Sequence, residues 1–369
     1  MALYIHWPFC VSKCPYCDFN SHVRDSVDQD QWRTALLADL AYEAEFAPRR
    51  PLTSIFFGGG TPSLMPPATA AALITAAERH WGFAPGIEIT LEANPSSVEA
   101  ARFADFAAVG VNRVSLGLQA LDDETLRFLG RAHDCVEGLA ALDVAQRYFD
   151  RVSFDLIYAR PNQTPAEWEA ELARALAFGT DHLSLYQLTI EPGTRFATLL
   201  ARGDLSPLDD DLAADIFELT RSQAAAAGLP AYEVSNHARP GQESRHNLAY
   251  WRYADYLGIG PGAHGRRAGV ATVRHRKPEN WLSAIADQRH GIVEEEALSA
   301  EKQATEALLM GLRLEEGIPL AKVERVIDRK AVSRLTAQRL LANDPDRLRV
   351  MPHAMLLLEA ILREITRSH

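Results

Sequence analysis

Short β-branched or aromatic runs recur at 3–7, 54–57, 88–91, 113–116, 153–157 and 183–188, and stretches of helical periodicity fill the gaps. That alternation argues for parallel strands joined by crossover helices. The helical segments fall at 29–47, 66–80, 97–108, 136–148 and 165–178, with Asp, Ser, Thr or Pro near their starts. Six such units in about 200 residues predict an α/β fold, an open or partial (β/α)6 barrel.

A barrel of this kind gathers its reactive groups on the loops after the C-terminal strand ends. The chemistry-bearing motifs sit there. Cys10-Val-Ser-Lys-Cys14-Pro-Tyr-Cys17 follows the first strand, Gly58-Gly-Gly-Thr-Pro62 the second, Glu92 the third and Gln119 the fourth, while Asp155 lies within the fifth. The CxxxCxxC spacing suits a 4Fe-4S cluster, which normally takes four thiolates; three leave one iron open to another ligand. Zinc remains an alternative, completed by His6 or His22, and a disulfide fits poorly with a chain that shows no secretory feature. The glycines permit close backbone approach to a ligand, Thr61 adds a hydroxyl, and the run lacks the spacings of nucleotide loops.

The chain has 369 residues, 47% of them hydrophobic and 24% charged, enough for one large domain and a smaller one. Its formal charge of -11 argues against sequence-independent nucleic-acid binding. The basic run Arg266-Arg267 with Arg274-His-Arg-Lys277 reads as a solvated patch that could meet a propionate or a lipid headgroup. No apolar stretch approaches the ~20 residues a bilayer span needs, and residues 1–6 lack a basic region followed by an apolar one. A cytoplasmic protein with no N-terminal extension is expected, with peripheral membrane contact left open. Residues 1–290 form the expected barrel and its following strand and loop region. Residues 291–369 form a small winged-helix-like domain, with helices at 300–314, 320–326 and 332–341, a strand at 347–350 and a helix at 355–365.

These motifs together resemble radical S-adenosylmethionine (SAM) proteins, more narrowly the family of oxygen-independent coproporphyrinogen III oxidase and its heme-chaperone relative. Tyr4-Ile-His-Trp-Pro-Phe-Cys10, the three cysteines, Phe57-Gly-Gly-Gly-Thr-Pro62 and Leu91-Glu-Ala-Asn-Pro95 carry the resemblance. So do Gly117-Leu-Gln119, Leu129-Gly-Arg-Ala-His133 and Phe154-Asp-Leu-Ile-Tyr158. It implies that Cys10, Cys14 and Cys17 hold a 4Fe-4S cluster whose open iron is chelated by SAM. It places Gly60 and Thr61 at the methionine amino end, Arg131 on the carboxylate, and Gln119 and Asp155 near the ribose. Tyr4, Tyr16, Gly59 and Glu92 match further SAM contacts.

Two branches of the family separate after Cys17. The decarboxylating oxidase carries a further cysteine two positions on, where this chain has Phe19. His246-Asn-Leu-Ala-Tyr-Trp251 matches a signature of the heme-chaperone branch, followed by Tyr256-Leu-Gly-Ile-Gly-Pro-Gly-Ala-His264. The resemblance therefore implies heme as a third ligand, client proteins that receive it, and an electron donor for the cluster. His246 offers an imidazole and Tyr250 with Trp251 flat apolar surface; His264 is a second imidazole. The competing expectation is porphyrinogen decarboxylation by a 5'-deoxyadenosyl radical. One departure stands out: relatives often have Tyr-Gly-Leu-Pro after the fifth strand, and this chain has Tyr158-Ala-Arg-Pro161. Ala159 and Arg160 there put a methyl and a charge near the expected adenosine.

Overall fold

The computed structural model describes residues 1–24 and 26–367. Six strands run parallel in sequence order: β1 (Ala2–Trp7), β2 (Leu52–Gly59), β3 (Phe83–Ala93), β4 (Arg113–Gln119), β5 (Arg151–Tyr158) and β6 (His182–Gln187). Along each strand apolar residues alternate with buried polar ones on the other face, such as Ser54, Thr90, Ser115, Ser153 and Ser184, so one face packs into the apolar core and the other is polar. Leu3, Ile5, Ile55, Phe57, Leu91, Leu116, Phe154 and Leu183 are all fully buried in one core. The first two crossover helices are α1 (Gln29–Phe46) and α2 (Pro67–Trp81). Asp28 caps α1 through the amide of Gln31, and Thr164 with Glu167 forms a full capping box on the helix Pro165–Ala177. The helix expected over 97–108 is two short ones, Ser97–Ala100 and Phe103–Ala108, divided where Arg102 reaches the carbonyls of Ser63 and Met65.

Five more strands extend this sheet. Strand β7 (Asn236–Ala238) lies antiparallel beside β6. On the opposite side β8 (Tyr256–Ile259) pairs parallel with β1, and the meander β9 (His264–Arg267), β10 (Val270–Arg274) and β11 (Ile292–Ala297) continues outward. The order is β11-β10-β9-β8-β1-β2-β3-β4-β5-β6-β7, so the two edge strands do not pair and the barrel stays open.

The meander corrects the surface reading of the basic run. Arg266, Arg267 and Arg274 are buried. Arg274 Nε donates to Asp39 at 2.7 Å and its Nη2 to Glu43 at 2.8 Å, while Arg267 Nε reaches Glu43 at 2.9 Å; both carboxylates stand on α1. Arg266 lies over the Tyr253 ring at 3.5 Å. Only Arg276 and Lys277 of the run are exposed.

Because β11 belongs to the large sheet, that unit continues past the expected boundary at 290, to Ala297. Helices Ala300–Gly311, Leu320–Val323 and Arg329–Ala337 follow, then the antiparallel pair Ile318–Pro319 with Arg347–Leu348 and a final helix Leu358–Ile365. Among the described residues no helix is long and apolar enough to cross a membrane.

Candidate functional site

The cysteine loop leaves β1 and is fastened to the glycine run that leaves β2. The amide of Gly60 donates to the carbonyl of Trp7 and that of Thr61 to the carbonyl of Phe9, both at 2.8 Å. A Cβ on Gly60 would lie 2.7 Å from the Phe9 carbonyl oxygen, so only glycine lets the loop sit this close. Gly59 has φ +117, and a Cβ there would strike the His6 ring at 2.5 Å. The missing side chains of Gly59 and Gly60 thus make room for the protein's own β1 and cysteine loop, and in doing so set the loop's position.

Each cysteine then has a polar companion. Thr61 Oγ1 donates to Cys10 Sγ at 3.4 Å, Arg131 Nη1 to Cys14 Sγ at 3.4 Å, and Ser21 Oγ lies 3.9 Å from Cys17 Sγ. Such contacts favour thiolates bound to a metal over neutral thiols. Burial, and then the neighbouring cysteines, push the free Cys10 and Cys17 thiols up. Among the described residues no three His, Cys, Asp or Glu side chains converge as a single ion demands. A 4Fe-4S cluster takes each of three thiolates on a different iron, so it does not need that convergence. His6 is committed elsewhere: Nδ1 bonds to Tyr4 Oη and Nε2 to the carbonyl of Asn20, both at 2.9 Å. Cys135 stands apart on the helix Cys135–Tyr148, its thiol donating to the Leu121 carbonyl.

Arg131 is the charged centre of the site. Nη2 donates to Asn94 Oδ1 at 2.6 Å and to the Gly117 carbonyl at 2.9 Å, and the Nε hydrogen is buried without a partner. The groups that act most on its charge are the Tyr16 hydroxyl and the Cys14 thiol, and Arg131 in turn favours the charged form of Asp155. Asn94 closes the circle, because its Nδ2 donates to Thr61 Oγ1 at 3.1 Å. Sequence reasoning included Asn94 in a motif without giving it this bridging role, for which one asparagine between Ala93 and Pro95 offers no signal. Gly117 was read likewise; a Cβ there would lie 3.3 Å from Arg131 Nη2.

Glu92 and Asp155 face one another across the barrel interior. Burial, then the neighbouring Asp155, pushes Glu92 up to about 8, and burial pushes Asp155 up to about 6 against Ser184, Arg113 and Ser115. Glu92 Oε2 accepts from the Gly59 amide at 3.2 Å. Gln119 ends β4 with φ +71, a left-handed conformation that a non-glycine residue adopts at a cost and that often marks a working site. Tyr16 packs toward Phe196, and burial pushes its hydroxyl far up.

At the departure after β5, Ala159 has φ +54, the region glycine occupies freely. Arg160 turns away from the barrel mouth and forms a buried ion pair with Glu171, with contacts at 2.6 and 3.3 Å. Its charge is thereby neutralised.

The residues of the His246 signature lie on the helix Arg245–Trp251 and point three ways. His246 is buried inside the barrel, 3% exposed, with Nδ1 3.1 Å from Ser54 Oγ and its ring stacked on Phe56 at 4.8 Å. Burial holds the imidazole down to about 3, and Nε2 has no partner. Tyr250 packs on Tyr256 at 4.3 Å and lines a cavity of about 290 Å³ that also touches Tyr4, Gly59, Glu92 and His264. Trp251 turns toward the C-terminal helices, with Arg313 4.9 Å above its ring.

Residues 4–175 match the model of the Radical SAM superfamily and residues 298–357 that of the HemN C-terminal domain. The chain is 41% identical to radical S-adenosyl methionine domain-containing protein 1, mitochondrial, of Bos taurus over 86% of this chain and 74% of that one. It is 37% identical to the heme chaperone HemW of Escherichia coli, covering 98% of this chain and 97% of that one, and 36% identical to HemW of Mycobacterium tuberculosis over 99% and 94%. The fold matches coproporphyrinogen III oxidase (HemN) of Escherichia coli with a TM-score of 0.82 and 23% identity, over 98% of this chain and 89% of that one. With its cysteine loop, its open barrel and its C-terminal helices all matched, the chain belongs to the HemW family of radical SAM proteins.

Proposed function

We propose that this protein is a heme chaperone that holds a 4Fe-4S cluster and SAM, binds heme and delivers it to client proteins. The observation that carries the reading is sequence identity of 36–37% to proteins named heme chaperone HemW over nearly the whole length, barrel and C-terminal helices alike.

In this reading Cys10, Cys14 and Cys17 hold the cluster, which when bound supplies an electron to the sulfonium. Arg131 takes the SAM carboxylate, and its unpartnered Nε supports that assignment. Glu92, Gly59, Gly60 and Thr61 surround the amino end, Gln119 and Asp155 the ribose, and Tyr4 and Tyr16 flank the ligand. Arg offers a fork to a carboxylate, and the carboxyl and amide groups accept or donate to hydroxyls and an ammonium. Fully desolvated, these groups orient the ligand and exclude water. An electron donor for the cluster, a cytoplasmic setting and peripheral membrane contact belong to the same reading.

The test is an anaerobic heme-transfer assay on cluster-loaded protein, run beside a turnover assay with SAM and coproporphyrinogen III. Transfer of bound heme to an apo-cytochrome without carbon dioxide release is expected. Stoichiometric decarboxylation, or no heme binding, overturns the reading.

A further inference from the structure

The two imidazoles singled out in the sequence have opposite surroundings. His246 is sealed between Phe56, Tyr250 and Tyr4, one nitrogen already on Ser54. His264, the first residue of β9, is exposed, and among the described residues neither of its ring nitrogens has a hydrogen-bond partner. It stands in the wall of the 290 Å³ cavity, where Tyr4, Phe19, Tyr250 and Tyr256 supply aromatic surface.

Resting on the heme-chaperone reading, we propose that His264 is the protein ligand to heme iron, with one edge of the macrocycle seated against Phe19, Tyr250 and Tyr256, the rings of that wall not taken by SAM. Three observations converge on this. Phe19 is 60% exposed, an expensive position for a phenyl ring unless a planar apolar partner covers it. The cavity is open and too small to enclose a whole porphyrin, as suits a carrier that must release its cargo. Arg276, exposed and close enough to His264 to act on its charge, adjoins exposed Lys277, and these two cations can meet the propionates. The loop is held in place, because Asn20 Nδ2 donates to the carbonyls of Pro261 and Arg276, both at 2.9 Å.

Hemin titration of cluster-loaded protein, followed by the Soret band and by the electron paramagnetic resonance of the ferric heme, tests the assignment. Wild type is expected to show imidazole ligation. His264→Ala should bind at least tenfold more weakly and lose that signature, with added imidazole restoring it, and His264→Met should change the axial-ligand signature instead of the fold. Arg276→Glu should weaken binding about tenfold with the coordination spectrum unchanged. Wild-type affinity and spectrum in His264→Ala would overturn the assignment while leaving the chaperone reading intact. Absence of heme binding in wild type would overturn both.

Discussion

A buried guanidinium without a countercharge is costly, since breaking or omitting the partner of a buried charge is worth about 3–5 kcal/mol. Arg131 carries part of that cost: Asp155 acts on it only from a distance, it contacts Cys14 directly, and Nε is unpartnered. Filling the gap with a carboxylate should therefore be strongly favourable: Arg131→Gln is expected to weaken SAM binding about 10- to 100-fold, the worth of one or two charge-assisted hydrogen bonds. Titration of the reduced cluster's spin signal with SAM reads this directly, and unchanged affinity would remove Arg131 from the carboxylate. Glu92 gives a pH signature. Its folded-state pKa, near 8, lies above its ordinary value, so the folded chain holds a proton that the unfolded chain has released. Its contribution to stability then falls as pH rises from about 4.5 to 8, and Glu92→Gln should remove that downward component of the pH profile in thermal melts of the metal-free protein. Ala159 offers a gain. A left-handed alanine costs about 1–2 kcal/mol, of which glycine returns part through its looser unfolded chain, so Ala159→Gly should stabilise by about 0.5–1 kcal/mol in denaturant titrations.

At the scale of elements, the helix Arg245–Trp251 closes the lower barrel because Glu88 on β3 receives its first amides. Glu88 accepts from the Arg245 and His246 amides, both at 3.1 Å, and from Arg151 at 2.5 Å. Burial works against its charge, but Arg113, Arg151 and the two amides win, and its pKa ends below the usual carboxylate range. Its stabilising contribution is present above about pH 4.5 and is lost as the pH falls below it. Glu88→Gln, which takes from Arg151 its ion-pair partner, should cost about 3 kcal/mol and loosen the helix, seen as faster amide exchange over 245–251. This helix shows why parts of the fold were legible and others were not. The six parallel strands announce themselves because both faces are buried, as at the adjacent Leu156 and Ile157, and the cysteine loop because three thiols within eight residues have few uses. His246, by contrast, reads as a ligand from its type, and only long-range contacts with Ser54 and Phe56 reveal it as a packed core residue. The strands β9 to β11 hide because Arg267 and Arg274 resemble a solvated surface until their partners Asp39 and Glu43 on α1 are seen, and because Glu294 to Glu296 of β11 are in fact exposed.

In the whole molecule that hidden ion cluster is what binds the two halves of the sheet around the cysteine loop. Asp39 Oδ2 on α1 accepts from Arg274 Nε and from the amide of Gly260 at 3.0 Å, and Oδ1 from the amide of Gly291 at 3.3 Å, so one carboxylate collects three segments of the meander. Gly260, with φ +92, packs against the carbonyl of His6 so closely that a Cβ would lie 2.4 Å from it. His6 in turn holds the Asn20 carbonyl, three residues after Cys17. The chain of contacts runs from the ion cluster to the cluster-binding loop without a gap. Arg274→Met should then do two things: destabilise the protein by about 3–5 kcal/mol by leaving Asp39 and Glu43 buried without their shared cation, and speed loss of iron from the loaded protein. A double variant, Asp39→Asn with Arg274→Met, removes one uncompensated charge and should recover part of the stability. The iron-loss rate separates the roles: if Arg274→Met lowers the denaturation midpoint but iron leaves at the wild-type rate, the ion cluster supports the meander alone and does not reach the cysteines.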